Sequence, residues 1–105
     1  MRMLRAGLLG LTILALSCGG PSGNVILIGH VAPLTGDVKT FGESTKNGFL
    51  LAVEEANRAG GIAGRTVKTI IVDDKNDPTE AANAGSKLIN QDRVKFIIGS
   101  VSSKC

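Results

Sequence analysis

Three short runs rich in β-branched residues alternate with two longer stretches of helical periodicity, and the connections between them are brief. Val25-Ile26-Leu27-Ile28-Gly29-His30-Val31 is the first run. It is apolar on both faces, as a central strand of a parallel sheet is. From about Gly42 to Ala59 the period changes. Phe49, Ala52, Val53 and Ala56 recur at three- and four-residue spacing, with Glu43, Lys46, Glu54, Glu55 and Arg58 mostly opposite. Gly60-Gly61 is the expected stop, because glycine takes a left-handed C-terminal cap without strain. Val67 to Asp73 is a second strand. Asp77-Pro78 then opens a second helix, with Asp77 as N-cap, Pro78 at the first helical position and Glu80 in the first turn. Ala81, Ala84 and Leu88, and one step over Ala82, Gly85 and Ile89, form its expected buried face. Val94 to Ile98 is the third strand, and Gly99 ends it. The order β-α-β-α-β predicts an α/β layer, a partial doubly wound parallel sheet joined by right-handed crossovers.

The segment before Val25 has a different character. Met1 to Arg5 is short and basic, and Ala6 to Leu16 is an unbroken apolar or small run. A break follows at Ser17-Cys18 and a Gly/Pro/Ser stretch after it. This is the pattern of an export signal over residues 1–17 and a flexible tether over 18–24. Ala15-Leu16-Ser17-Cys18 resembles the lipobox of bacterial lipoproteins, which implies acylation of Cys18 and a membrane anchor. A disulfide between Cys18 and Cys105 would tie a flexible start to the last residue and is not expected.

The formal charge of the 105-residue chain is +3, with 12 basic and 9 acidic residues. Arg2 and Arg5 belong to the export segment, so the remainder is close to neutral. Its basic residues are scattered singly from Lys39 to Lys104, which does not make the clustered face of a nucleic-acid binder. With no Trp, no Tyr and three Phe, the chain also has little for base stacking.

Ligands of an open parallel sheet bind beyond the carboxyl ends of its strands. Three segments lie there: Ala32 to Thr40, Asp73 to Asp77, and Gly99 to Cys105. The first has no GxGxxG and no GxxxxGK[ST], so no nucleotide cofactor is expected. It is either a loop whose N–H groups face an anion through the following helix or a plain surface turn. Asp73, Asp74 and Asp77 lack the spacing of a calcium loop. Asp77 is explained as a helix cap and Asp74 as a turn former, so no metal is expected. Gly99-Ser100-Val101-Ser102-Ser103 offers neutral hydroxyl donors and acceptors beside a glycine. Such a set can hold a carboxylate or an ammonium without acting on it, or it is a solvated turn. A hydrolase needs a positioned base. His30, the only histidine, lies inside the first strand as a packed residue, so no catalytic triad and no enzyme is expected.

Taken together, Pro33-Leu34-Thr35-Gly36, Phe41-Gly42, the Ala56-Asn57…Gly60-Gly61-Ile62…Gly64 turn, Asp73-Asp74…Asp77-Pro78 and Gly99-Ser100 resemble the branched-chain amino-acid-binding (leucine-binding) proteins of ABC importers. The resemblance covers nearly all of residues 25–105. It implies the first part of lobe one of a type I periplasmic-binding-protein fold, an N-terminal fragment inactive alone. It also implies an exported, non-catalytic receptor in the periplasm or on the outer envelope face. Such a receptor passes a small polar solute, an amino acid in the first instance, to a membrane permease. By position, Ser103 matches the serine that holds the amino acid's carboxylate, and Phe41 an aromatic that packs at the ligand. Val101 and Ser102 stand on the same loop as further ligand contacts. The family's Cys pair is missing, since Asn76 and Ser102 hold the matching positions. The alternative is a ligand-sensing receptor ectodomain of the same fold.

Overall fold

The computed structural model describes residues 25–105. The expected export segment, the tether and Cys18 lie outside the described residues. Five elements follow in order: β1 (Val25–Ala32), α1 (Lys39–Arg58), β2 (Thr66–Asp73), α2 (Pro78–Asn90) and β3 (Phe96–Ile98). The three strands make one parallel sheet in the order β2-β1-β3. β1 is therefore central, as its two apolar faces predict. It pairs with β2 from Val25↔Thr66 to Ala32↔Asp73, and with β3 from Ile28↔Phe96 to His30↔Ile98.

Alternation along the strands sends successive side chains to opposite faces, and each face meets a different helix. On one side Val31, Ala84, Leu88 and Val94 are buried together, with Leu27, Ile70 and Val72 packed against them. Leu88 is fully buried, and burying one leucine side chain contributes about 1.5–3 kcal/mol. On the other side His30 stacks on Phe49 of α1, ring centroids 4.8 Å apart and planes 22° off parallel. The His30 Nδ1 lies 3.0 Å from the Ile98 carbonyl, so the ring also ties β1 to β3.

Local chemistry explains the helix ends. The Asp77 carboxylate accepts the N–H groups of Thr79 and Glu80 at 2.9 and 3.0 Å, which makes it the N-cap of α2. At the end of α1, Gly61 N–H donates to the Ala56 carbonyl and Gly60 N–H to the Asn57 carbonyl, a Schellman arrangement. The Asn57 side chain then accepts from Val67 N–H at 2.8 Å and donates to Val67 carbonyl at 2.9 Å, pinning the start of β2 to α1.

Three details depart from expectation. α1 begins at Lys39, one turn before Gly42, so Phe41 sits inside the first turn. β3 is only Phe96–Ile98. Val94 instead donates its N–H to the Leu88 carbonyl and joins the α2 core. The helical apolar faces are also only partly covered: Phe49, Ala84 and Leu88 are buried, whereas Ala52, Ala82 and Ile89 are exposed. The apolar stripes run wider than a three-stranded sheet can cover.

Candidate functional site

Because the strands are parallel, Ala32, Asp73 and Ile98 end on one rim, and the three loops named above meet there. Asp73 and Asp74 knit them together. Asp73 accepts the Leu34 N–H at 2.8 Å, the Thr35 hydroxyl at 2.6 Å and the Lys75 N–H at 2.8 Å. Partial burial alone would raise the Asp73 pKa. The hydrogen bonds from the Thr35 hydroxyl and from the N–H groups of Leu34, Lys75 and Thr35 outweigh it, so the carboxyl is held below its ordinary value. Asp74 is more than a turn former. It is fully buried, accepts Asn76 N–H at 2.8 Å on one oxygen and the Ser100 hydroxyl at 2.7 Å on the other, and donates its own N–H to the Ala32 carbonyl.

Between the first and third loops lies a pocket of about 220 Å³, lined by Pro33, Val38, Phe41, Val101 and Ser102. Three of the four residues expected at the ligand, Phe41, Val101 and Ser102, are thus brought together. Ser103, the fourth, stands next along the turn, exposed, and is not among the lining side chains. Phe41 is 70% exposed, a large apolar ring that the other described residues leave mostly uncovered. Val101 and Ser102 are half-buried. Ser102 shapes its own turn: its hydroxyl accepts Lys104 N–H at 3.3 Å and its carbonyl accepts Cys105 N–H at 3.1 Å.

Sequence reasoning missed Pro33 and Val38 as wall residues. Pro33 belongs to the singled-out Pro33-Leu34-Thr35-Gly36 turn, so the signal was present. Val38 carried none, because a lone valine in a polar loop has no periodicity to place it. The lining is apolar except for Ser102, and none of its side chains is charged. Such a surface accepts an aliphatic or aromatic group against Phe41 and Val101 while a hydroxyl orients a polar end. His30 faces elsewhere, among Phe49, Thr45 and Ile98. No base stands among the pocket's lining residues.

The family described as periplasmic binding protein matches residues 25–105. The Leu/Ile/Val-binding protein BraC3 of Rhizobium johnstonii is 41% identical over 78 residues, which is 74% of this chain and 21% of that protein. A leucine-, isoleucine-, valine-, threonine- and alanine-binding protein of Pseudomonas aeruginosa is 39% identical over 80 residues, 76% of this chain and 21% of its own length. Among solved structures, the branched-chain amino acid transporter substrate-binding protein LivJ from Streptococcus pneumoniae, in complex with isoleucine, superposes with a TM-score of 0.74. It is 32% identical, and the match covers 76% of this chain and 23% of that one. The chain therefore spans about a fifth of the length of the curated relatives it matches.

Proposed function

The chain belongs to the periplasmic binding protein family, and on that premise we propose that it forms one wall of the solute site in the exported receptor of an ABC importer. The solute is an amino acid with an aliphatic side chain. It is bound without chemistry and passed to a membrane permease. Phe41 and Val101 receive the side chain. Ser102 and the neighbouring Ser103 present hydroxyl or backbone donors to the carboxylate. A facing lobe closes over the solute because the closed state binds it more tightly than the open one. Cys18 carries the lipid anchor that keeps the receptor at the membrane.

One observation carries this reading. The only large uncovered aromatic ring on the rim, among the described residues, faces a serine-bearing loop across an uncharged pocket. The residues come from the two loops that parallel strands bring to one end, on a chain 41% identical to a Leu/Ile/Val-binding protein. Among the described residues, Phe41 is too exposed for core packing to explain it.

Titration calorimetry on a polypeptide of the relatives' full length that carries this segment tests the reading. L-leucine, L-isoleucine and L-valine are expected to bind. Phe41→Ala should weaken binding by roughly tenfold, the loss expected when an apolar contact of about 1.5 kcal/mol is removed, while changing stability by no more than about 0.5 kcal/mol. Absence of heat with every amino acid would sink it. For the anchor, radiolabelled palmitate should enter the wild-type protein in cells and not the Cys18→Ser variant.

A further inference from the structure

Asp73 and Asp74 do not line the pocket, yet both walls hang from them. Neighbouring residues at a strand end point opposite ways, and each carboxylate serves a different loop. Asp73 holds Leu34 and Thr35, between wall residues Pro33 and Val38. Asp74 holds Ser100, next to wall residue Val101. Since β1 lies between β2 and β3, the Asp74–Ser100 bond reaches over the end of the central strand, past the buried Ala32 and Pro33. β3 stops at Ile98. Among the described residues, the remaining hydrogen bonds of Ser100 to Cys105 stay within that segment, from Lys104 N–H and Cys105 N–H to Ser102. A fully buried carboxylate oxygen cannot give up its partner to water cheaply, so the Ser100 hydroxyl is held rather than free to turn outward.

We propose that Asp73 and Asp74 form a clasp that sets the spacing of the two pocket walls, Asp73 fixing the Pro33–Val38 wall and Asp74, through Ser100, the Val101–Ser102 wall. Both are positioning residues and neither touches the solute. The inference rests on the solute-binding reading above and adds what holds that site in shape. Ser100→Ala is the sharper probe, because it removes one hydroxyl from an exposed residue and keeps the buried Asp74 side chain in place, whereas replacing Asp74 itself endangers folding.

The test is ¹⁵N relaxation on the full 105-residue chain, comparing wild type, Ser100→Ala, Ser100→Thr and Asp73→Asn. In Ser100→Ala the order parameters of Val101 and Ser102 should fall from about 0.85 to below about 0.6, with Leu34, Thr35 and α2 unchanged. Asp73→Asn should loosen Leu34 and Thr35 instead. Ser100→Thr keeps the hydroxyl and should match wild type. In the polypeptide of the relatives' length, isoleucine affinity should drop about tenfold in Ser100→Ala, the scale of one charge-assisted hydrogen bond, and return in Ser100→Thr. Unchanged order parameters at Val101 and Ser102 in Ser100→Ala, or loosening spread evenly over the sheet, would overturn the clasp. Failure of the wild-type polypeptide to bind any amino acid refutes the solute reading alone, because the relaxation data decide the clasp without a ligand.

Discussion

Two glycines of the same helix should respond to the same substitution with opposite signs. A Cβ placed on Gly42 would lie 1.7 Å from the Pro33 carbonyl oxygen and 2.5 Å from its carbonyl carbon. Both are backbone atoms of a fully buried residue, with no rotamer to move away. Real Cβ contacts essentially never fall under 3.0 Å, so α1 or the loop must retreat by about 1.3 Å, an overpacking that costs about 1–3 kcal/mol. Alanine's helix propensity returns about 1 kcal/mol. A clash this deep with backbone atoms takes the upper end of that range, so Gly42→Ala should destabilise the chain by about 2 kcal/mol. At Gly48 an added Cβ meets nothing within 4 Å, so only propensity acts and Gly48→Ala should stabilise by about 0.5–1 kcal/mol. Urea unfolding followed by far-ultraviolet circular dichroism measures both, with the shift read in the midpoint at constant slope. Phe41 and Val38 stand on the displaced turn, so in the polypeptide of the relatives' length Gly42→Ala should also weaken isoleucine binding, whereas Gly48→Ala should not. A Gly42→Ala protein as stable as wild type would show that helix and loop are not in contact, and the reasoning about the pocket wall would fall with it.

Acid should release the first wall. The Asp73 carboxyl is held below its ordinary value of 3.8, so its contribution is fully present above that value and is lost as pH falls through the lower folded one. Unfolding free energies of wild type and Asp73→Asn should draw together as pH falls below that ordinary value, and a gap that does not narrow on acidification would contradict the assignment. Leu88→Ala should cost about 2–5 kcal/mol by thermal or urea unfolding, since Leu88 is fully buried at the centre of the α2 core; a loss under about 1 kcal/mol would mean that this core is not packed as described.

Much of the layout was legible along the chain because its causes are local. Asp77-Pro78 announces α2 through groups within three residues of the cap, and Gly60-Gly61 ends α1 through bonds to the preceding turn. The double-sided apolar run of β1 marks a central strand because burial on both faces demands it. The start of α1 was less legible. Its N-cap, Val38, makes no side-chain capping bond, and the turn is set by the close approach of Gly42 to Pro33. Val94 carries the same β-branched signature in a strand or a core loop, and only the position of Leu88 decides between them.

The same division runs through the binding rim. Order, strand direction and the three loops at one end follow from sequence alone, since parallel β-α-β units place every strand's carboxyl end on the same side. Which side chains share a pocket does not follow. Phe41 and Val101 are sixty positions apart in the chain, and Asp74 and Ser100 twenty-six. Phe41 and Val101 meet because β1 and β3 are neighbours in the sheet, and Asp74 and Ser100 because only one strand, β1, stands between β2 and β3, within the reach of one carboxylate and one hydroxyl. Hydrogen bonds between distant residues depend on packing distances, and those exist only once the sheet has formed.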